Sequence, residues 1–243
     1  MRQRSSIEWQ DIVAANFVVG TDLIECDYLD HQDAINNLPD AGGGIYTLPG
    51  NYSRTLTMSL ADKSYTLTFA GGAVVSIGST PIPVFTVTDV ITSKRTLVVT
   101  GGHFGGENAA GQEFLRYEDS SAKFEVYFKN LTARDLECLV NFTAYEVTYN
   151  EVAWVTFEDC LLPPPFIATN EIFKSPNQAG TYTGALAVKL YNCFMTDSLD
   201  YTLGWASMDF DGDVFMYNCL ETRMLDTAVW EVDGLDVYGS EFE

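Results

Sequence analysis

The sequence predicts an all-β chain wound as a parallel β-solenoid, with one short helix and an arm ahead of it. Three observations carry this. A strand-and-corner unit recurs seven times. After Gly44 the chain is a succession of short Val-, Ile-, Thr-, Phe- and Tyr-rich segments broken by Gly, Asn, Asp and Ser. Only one segment has the start, face and stop of a helix. Short strands at a regular spacing, with no helix in each unit, fit stacked coils and no common α/β layer design.

The elements follow in order. Residues 1–27 are mixed in character, with apolar spacing at Ile7, Ile12 and Val13 too weak for a firm helix. They are read as an N-terminal arm, with residues 28–243 as the solenoid domain. A helix is expected over about 30–38. Asp30 can cap it, Ala34, Ile35 and Leu38 share a face, and Pro39 with Gly42-Gly43-Gly44 ends it. Period-two strands are then expected at Ile45–Leu48, Thr55–Met58, Tyr65–Phe69 and Thr96–Val99. No second persuasive helix follows.

The repeat aligns on a small or polar residue at Gly71, Gly101, Asn130, Asp159, Asn192, Asn218 and Gly239. Its units include Val126-Tyr-Phe-Lys-Asn130, Val188-Lys-Leu-Tyr-Asn192 and Val214-Phe-Met-Tyr-Asn218. Val126 with Phe128, and Val188 with Leu190, are expected to point inward, and the residue between them outward. Gly, Asn or Asp at one corner of every coil suits a left-handed backbone there. Asn side chains at such corners can hydrogen-bond along the stack. Cys160, Cys193 and Cys219 each follow a corner and are expected as buried small apolar residues, ahead of any redox or metal role.

Within this frame, the run from Asp33 through Ala34-Ile35 and Gly42-Gly43-Gly44 to Pro49-Gly50-Asn51-Tyr52 resembles the opening of the pectate-lyase-like right-handed β-helix superfamily. The resemblance is close over about 20 residues and is supported by the repeats through to Glu243. It implies a single-stranded right-handed parallel β-helix whose open end is covered by an amphipathic helix. It says little about function, because pectate lyases, polygalacturonases, epimerases and phage tailspikes share this opening.

Composition narrows the function. There are 34 acidic against 13 basic residues, for a net charge of −21. Nucleic-acid partners and anionic membrane surfaces both need a basic face. Five dispersed cysteines with no CxxC pair speak against a zinc site or a disulfide framework. No signal peptide and no membrane span are read, so synthesis in a cytoplasm is expected.

The sharpest cluster is Asp209-Phe-Asp211-Gly-Asp213. Residues two apart on a strand share a face, so three carboxylates could converge as the acid, base or nucleophile of a glycosidase. They could equally attract Ca²⁺, although the spacing is not that of an EF-hand and no cofactor is otherwise expected. A solvated turn is the default reading in so acidic a chain. Tyr191, Tyr217 and Tyr238 occupy one repeat position and are expected as an outward stripe, with Trp205 in the same region. Such a stripe suits a subunit interface or a glycan, with the interface favoured. The loop Leu161-Leu-Pro-Pro-Pro-Phe166 is expected to protrude. His31 and His103 are read as structural or exposed.

The expectation is therefore a non-enzymatic virion protein, a tailspike- or fibre-like or capsid-decoration protein. It would assemble as a homotrimer with other virion proteins and could meet host-surface polysaccharide. Trimerisation here is implied by the resemblance. The alternative is a polysaccharide lyase or glycoside hydrolase using Asp209, Asp211 and Asp213.

Overall fold

The computed structural model describes residues 16–60, 63–87, 94–107, 109–118, 124–143, 153–162, 171–174, 186–195, 205–221, 224–239 and 241–242. Nearly every element is a strand, and the strands are paired in parallel into stacked coils, as expected. One face of the solenoid stacks β1 (Phe17–Val19), β2 (Gly43–Thr47), β5 (Tyr65–Phe69), β8 (Arg95–Thr100), β11 (Phe124–Lys129), β14 (Ala153–Glu158), β16 (Leu186–Tyr191), β17 (Trp205–Tyr217) and β19 (Met224–Tyr238). A second face stacks β4 (Met58–Leu60), β7 (Phe85–Val87), β10 (Glu113–Tyr117), β13 (Cys138–Phe142) and β15 (Glu171–Lys174), which pairs with the first half of β17. A third stacks β3 (Gly50–Ser53), β6 (Ala73–Ser76), β9 (His103–Gly105) and β12 (Thr132–Arg134). Bridges through Leu161 and Phe194 continue it, and the pair β18 (Leu220–Glu221) and β20 (Glu241–Phe242) lies further along the chain.

The only helix among the described residues is α1 (His31–Asn37). Asp30 caps it in an extended conformation and accepts from the Gln32 N–H at 2.7 Å. Leu38 leaves the helix at ψ 142°, as a residue before proline must. His31, Ala34, Ile35 and Leu38 are buried, which covers the end of the coil stack. Phe17–Val19, from the segment read as an arm, pairs with β2; residues 1–15 lie outside the described residues.

The ladder explains the repeat. Phe17, Ile45, Leu67, Val99, Phe128, Phe157, Leu190, Met216 and Val237 are successive partners in one column. Ile45 through Met216 in this column are buried. The expected inward pairs, Val126 with Phe128 and Val188 with Leu190, are fully buried. Inside, rings run from coil to coil. His31 stacks on Phe69 at 5.3 Å, Phe69 meets Phe104 at 5.0 Å, and Phe104 meets Phe114 at 5.5 Å. Phe114 then meets Phe128 at 4.7 Å, and Phe128 stacks on Phe157 at 5.1 Å. Each such pair contributes about 0.5–1.5 kcal/mol beyond the area it buries.

The corners are left-handed, as the repeat implied. Gly101, Asn130, Asp159, Asn192, Asn218 and Gly239 have φ between 51° and 74°. Each of the first five donates its N–H to a carbonyl of the next coil, as Asn192 does to Tyr217 at 2.8 Å. Two expectations need correction. Gly71 is not in this column: Thr68 pairs with Thr100, so Phe69 lies opposite Gly101. The first full coil turns later, through Ala70–Gly72, with Gly72 at φ 86°. The strand expected at Thr55–Met58 forms instead at Met58–Leu60. The Arg54 side chain folds back to the Leu56 carbonyl at 3.2 Å and bends the chain there.

Candidate functional site

The tyrosine stripe forms. Tyr191 stacks on Tyr217 with centroids 4.8 Å apart and planes at 8°, and Tyr217 on Tyr238 at 5.1 Å and 7°. The cause is register: Tyr191, Tyr217 and Tyr238 are direct ladder partners, so strand spacing of about 4.8 Å sets the ring spacing. Tyr191 and Tyr217 are half-buried and Tyr238 is exposed. Tyr217 has a ring on both of its faces, so the stripe presents ring edges and hydroxyls outward. Partial burial, then the neighbouring Tyr191 and Tyr238, push the Tyr217 phenol up.

The stripe continues toward the N-terminus as the ion pair of Lys129 with Glu158 at 2.5 Å. Beside it runs the corner ladder. Asn218 Nδ2 donates to Asn192 Oδ1 at 3.3 Å, and Asn192 Nδ2 to Asp159 Oδ1 at 3.1 Å. On the same outward face Lys189 Nζ sits 3.6 Å above the Trp154 ring centroid and 5.8 Å from that of Phe215, the two rings lying 6.1 Å apart. One face of the later coils thus carries Trp154, Tyr191, Phe215, Tyr217 and Tyr238 on one parallel ladder. The side chain of Trp205 lies outside the described residues.

Cys160, Cys193 and Cys219 stack one past the corners, buried and joined by no disulfide. Hydrogen bonding with Cys160 and Cys219, together with burial, pushes the Cys193 thiol up. That keeps it protonated and unreactive.

The aspartate cluster falls on β17, where the strand passes from one face of the solenoid to another. Phe210 pairs with Val232 and Asp213 with Gly234, so two residues on β17 oppose one on β19. This bulge holds Asp211 and Gly212 and interrupts the simple alternation expected for a strand. Asp213 is exposed; the side chains of Asp209 and Asp211 lie outside the described residues. Asp209 pairs in register with Lys174, whose ammonium holds Glu137 at 2.6 Å. Burial raises the Glu137 carboxyl, but hydrogen bonds from Lys174 and the Gly111 N–H outweigh it and hold it low. Among the described residues no three His, Cys, Asp or Glu are placed to hold a metal ion. The Pro163–Pro165 loop lies outside the described residues.

One site escaped sequence reasoning. At the capped end a cleft of about 250 Å³ opens between α1, β3 and the turn after β1. Asp30, His31 and Arg54 form its inner wall. The Arg54 side chain is only 5% exposed, and its Nη1 meets Asp30 Oδ2 at 3.1 Å. His31 Nε2 bonds Thr47 Oγ1 at 3.1 Å, and its Nδ1 faces Arg54 Nη1 at 3.4 Å. Burial, then the Arg54 charge, push His31 down to about 3, so the ring is neutral. The signal was present as an Arg two residues past the Pro-Gly-Asn-Tyr turn, but its partner at Asp30 is 24 residues away.

No protein-family model matches the chain. No curated protein matches it. Among solved structures it is similar to "Geobacillus virus E2 - ORF18", at 12% identity and a TM-score of 0.46. That match covers 100% of this chain and 66% of the other, so the chain spans just under two thirds of its neighbour's length. A likeness at that level carries no functional argument.

Proposed function

We propose that this chain is a structural virion protein that acts by assembly, as part of a tail spike, tail fibre or capsid decoration. The observation that carries the assembly reading is the Tyr191–Tyr217–Tyr238 stack, half-exposed on a parallel sheet. Outward aromatic surface gathered in one patch is what a subunit contact uses. Ring geometry favours this over sugar stacking, since both faces of Tyr217 are taken by its neighbours. The hydroxyl edges are then free to bond across an interface. The virion setting and the homotrimer rest on the resemblance to the pectate-lyase-like superfamily, which includes phage tailspikes. Other virion proteins are the remaining partners on this reading, and host-surface polysaccharide is a secondary one.

Light scattering tests it. The expected native mass is three times the chain mass of 26.9 kDa. Tyr217→Ala is expected to lower it toward that of one chain while the circular dichroism stays β-rich. A wild-type monomer overturns the reading.

A second reading is a polysaccharide lyase or glycoside hydrolase acting through Asp209, Asp211 and Asp213, with Ca²⁺ as its one plausible ion. The bulge at Asp211 favours it, because bulges gather beside active sites and re-aim side chains. Asp211→Asn would then abolish depolymerisation of a polysaccharide that the wild type cleaves. Full activity in the variant excludes the cluster.

A further inference from the structure

We infer that the cleft at the capped end of the solenoid, walled by Asp30 and Arg54, binds a neutral polyhydroxylated ligand the size of a single sugar ring. This site is remote from the tyrosine stripe, and the inference does not rest on the assembly reading.

The first observation is an unspent donor. Arg54 is almost wholly buried, yet only part of its guanidinium is engaged. Nε donates to the Leu56 carbonyl at 3.2 Å and Nη1 to Asp30. Nη2 has no hydrogen-bond partner among the described residues. A guanidinium carries five N–H donors, and the donors on Nη2 remain available to a bound group. Arg54 lines the cleft, so a group bound there meets a guanidinium that still has donors to give.

The second observation is the acceptor beside it. The Asp30 side chain is 48% exposed while still bound to Arg54. A carboxylate only accepts and a guanidinium only donates. A hydroxyl does both, so two adjacent hydroxyls can bridge this pair, one donating to Asp30 and the other accepting from Nη2. Asn51 and Ser53, both exposed on β3, add amide and hydroxyl groups at the rim. Leu29, 50% exposed, gives an apolar wall for the C–H side of a ring.

Charge selects the class. Asp30 and Arg54 cancel, and His31 adds no charge because it is buried and neutral. An anion would approach a chain of net charge −21 against its field, and a cation would meet the Arg54 guanidinium. A neutral ligand meets neither obstacle. Size sets the limit: about 250 Å³ is below the roughly 300–1,000 Å³ of sites for drug-sized molecules. One ring fits, and a chain would enter by its terminal unit only.

Saturation-transfer NMR on the full chain tests this with glucose, galactose, mannose and N-acetylglucosamine, and with glucuronate as the anionic counterpart. At least one neutral sugar is expected to bind, and glucuronate at least tenfold more weakly than its neutral counterpart. Asn51→Trp, at an exposed position, is expected to fill the cleft and abolish the signal with the fold intact. Arg54→Lys is expected to weaken binding tenfold or more. Should that variant fail to fold, Asn51→Trp still decides the matter. Tyr217→Ala is expected to leave sugar binding unchanged, which separates this site from the assembly face. The methyl glycoside of the binding sugar tells its source: retained binding marks a glycan terminus, and lost binding a free sugar. Binding by none of the sugars, equal binding of glucuronate, or an undiminished signal in Asn51→Trp overturns the inference.

Discussion

Asn192 donates its side-chain amide to the Asp159 carboxylate at 3.1 Å, one coil away, while both residues hold φ above 50°. Two requirements meet at one position: a left-handed backbone and a side chain that can bond to its neighbour. Asn192→Ala loses both and is expected to cost about 1–3 kcal/mol, from the left-handed penalty plus a lost hydrogen bond. Asn192→Gly keeps the backbone and should cost less. Urea denaturation of the two variants checks the order. Equal loss would mean that the side-chain bond alone matters.

Gly101 opens the same corner column, but it is not interchangeable with Asn. A Cβ there would lie 2.3 Å from the Phe69 carbonyl oxygen. Gly101→Asn is therefore expected to prevent stable folding, whereas Asn130→Gly, one coil on, should be tolerated. Soluble yield and thermal unfolding of the two variants measure the contrast.

Phe128 sits in the middle of the internal ring stack, between Phe114 and Phe157. Phe128→Ala is expected to cost about 3–5 kcal/mol through lost burial and the cavity left behind. Phe128→Leu should recover more than half of that. Chemical denaturation gives both values.

His31 ties stability to pH. Its folded value is pushed down to about 3 from an ordinary 6.5, so the unfolded chain binds the proton first. The stabilisation is complete above pH 6.5 and is lost as pH falls toward 3, at up to about 1.4 kcal/mol per unit. Between pH 6.5 and 5 few carboxylates titrate, so this window isolates the histidine. His31→Phe is expected to flatten the stability curve there. An unchanged slope in the variant would assign the loss to other groups.

Much of the architecture was legible in the residues. Asp30 before Ala34-Ile35, followed by Pro39 and three glycines, defines a capped and terminated helix. The inward pairs from Val126 to Leu190 define the strand faces, and the Asn and Asp corners define where each coil turns. These signals are local: each depends on φ preference, side-chain alternation or capping within a few residues. The misplaced corner at Gly71 shows their limit. Gly marks a permitted turn, but only strand pairing with β8 reveals that Phe69 stands in the corner column.

Sequence alone determined that this chain is a parallel solenoid with a capped end, because coil spacing and corner chemistry recur along it. Tertiary structure decided what its surface can do. Register turned three tyrosines at one repeat position into a stack whose faces are spent on each other. A register shift between Phe210 and Asp213 put an extra residue into the strand that carries the three aspartates. Burial made His31 a neutral part of the core, and the pairing of Arg54 with Asp30 set both in the wall of one cleft. Those outcomes depend on contacts between residues 16 to 38 positions apart, from His31 with Thr47 to His31 with Phe69, and on the removal of water from between them, which no local pattern encodes.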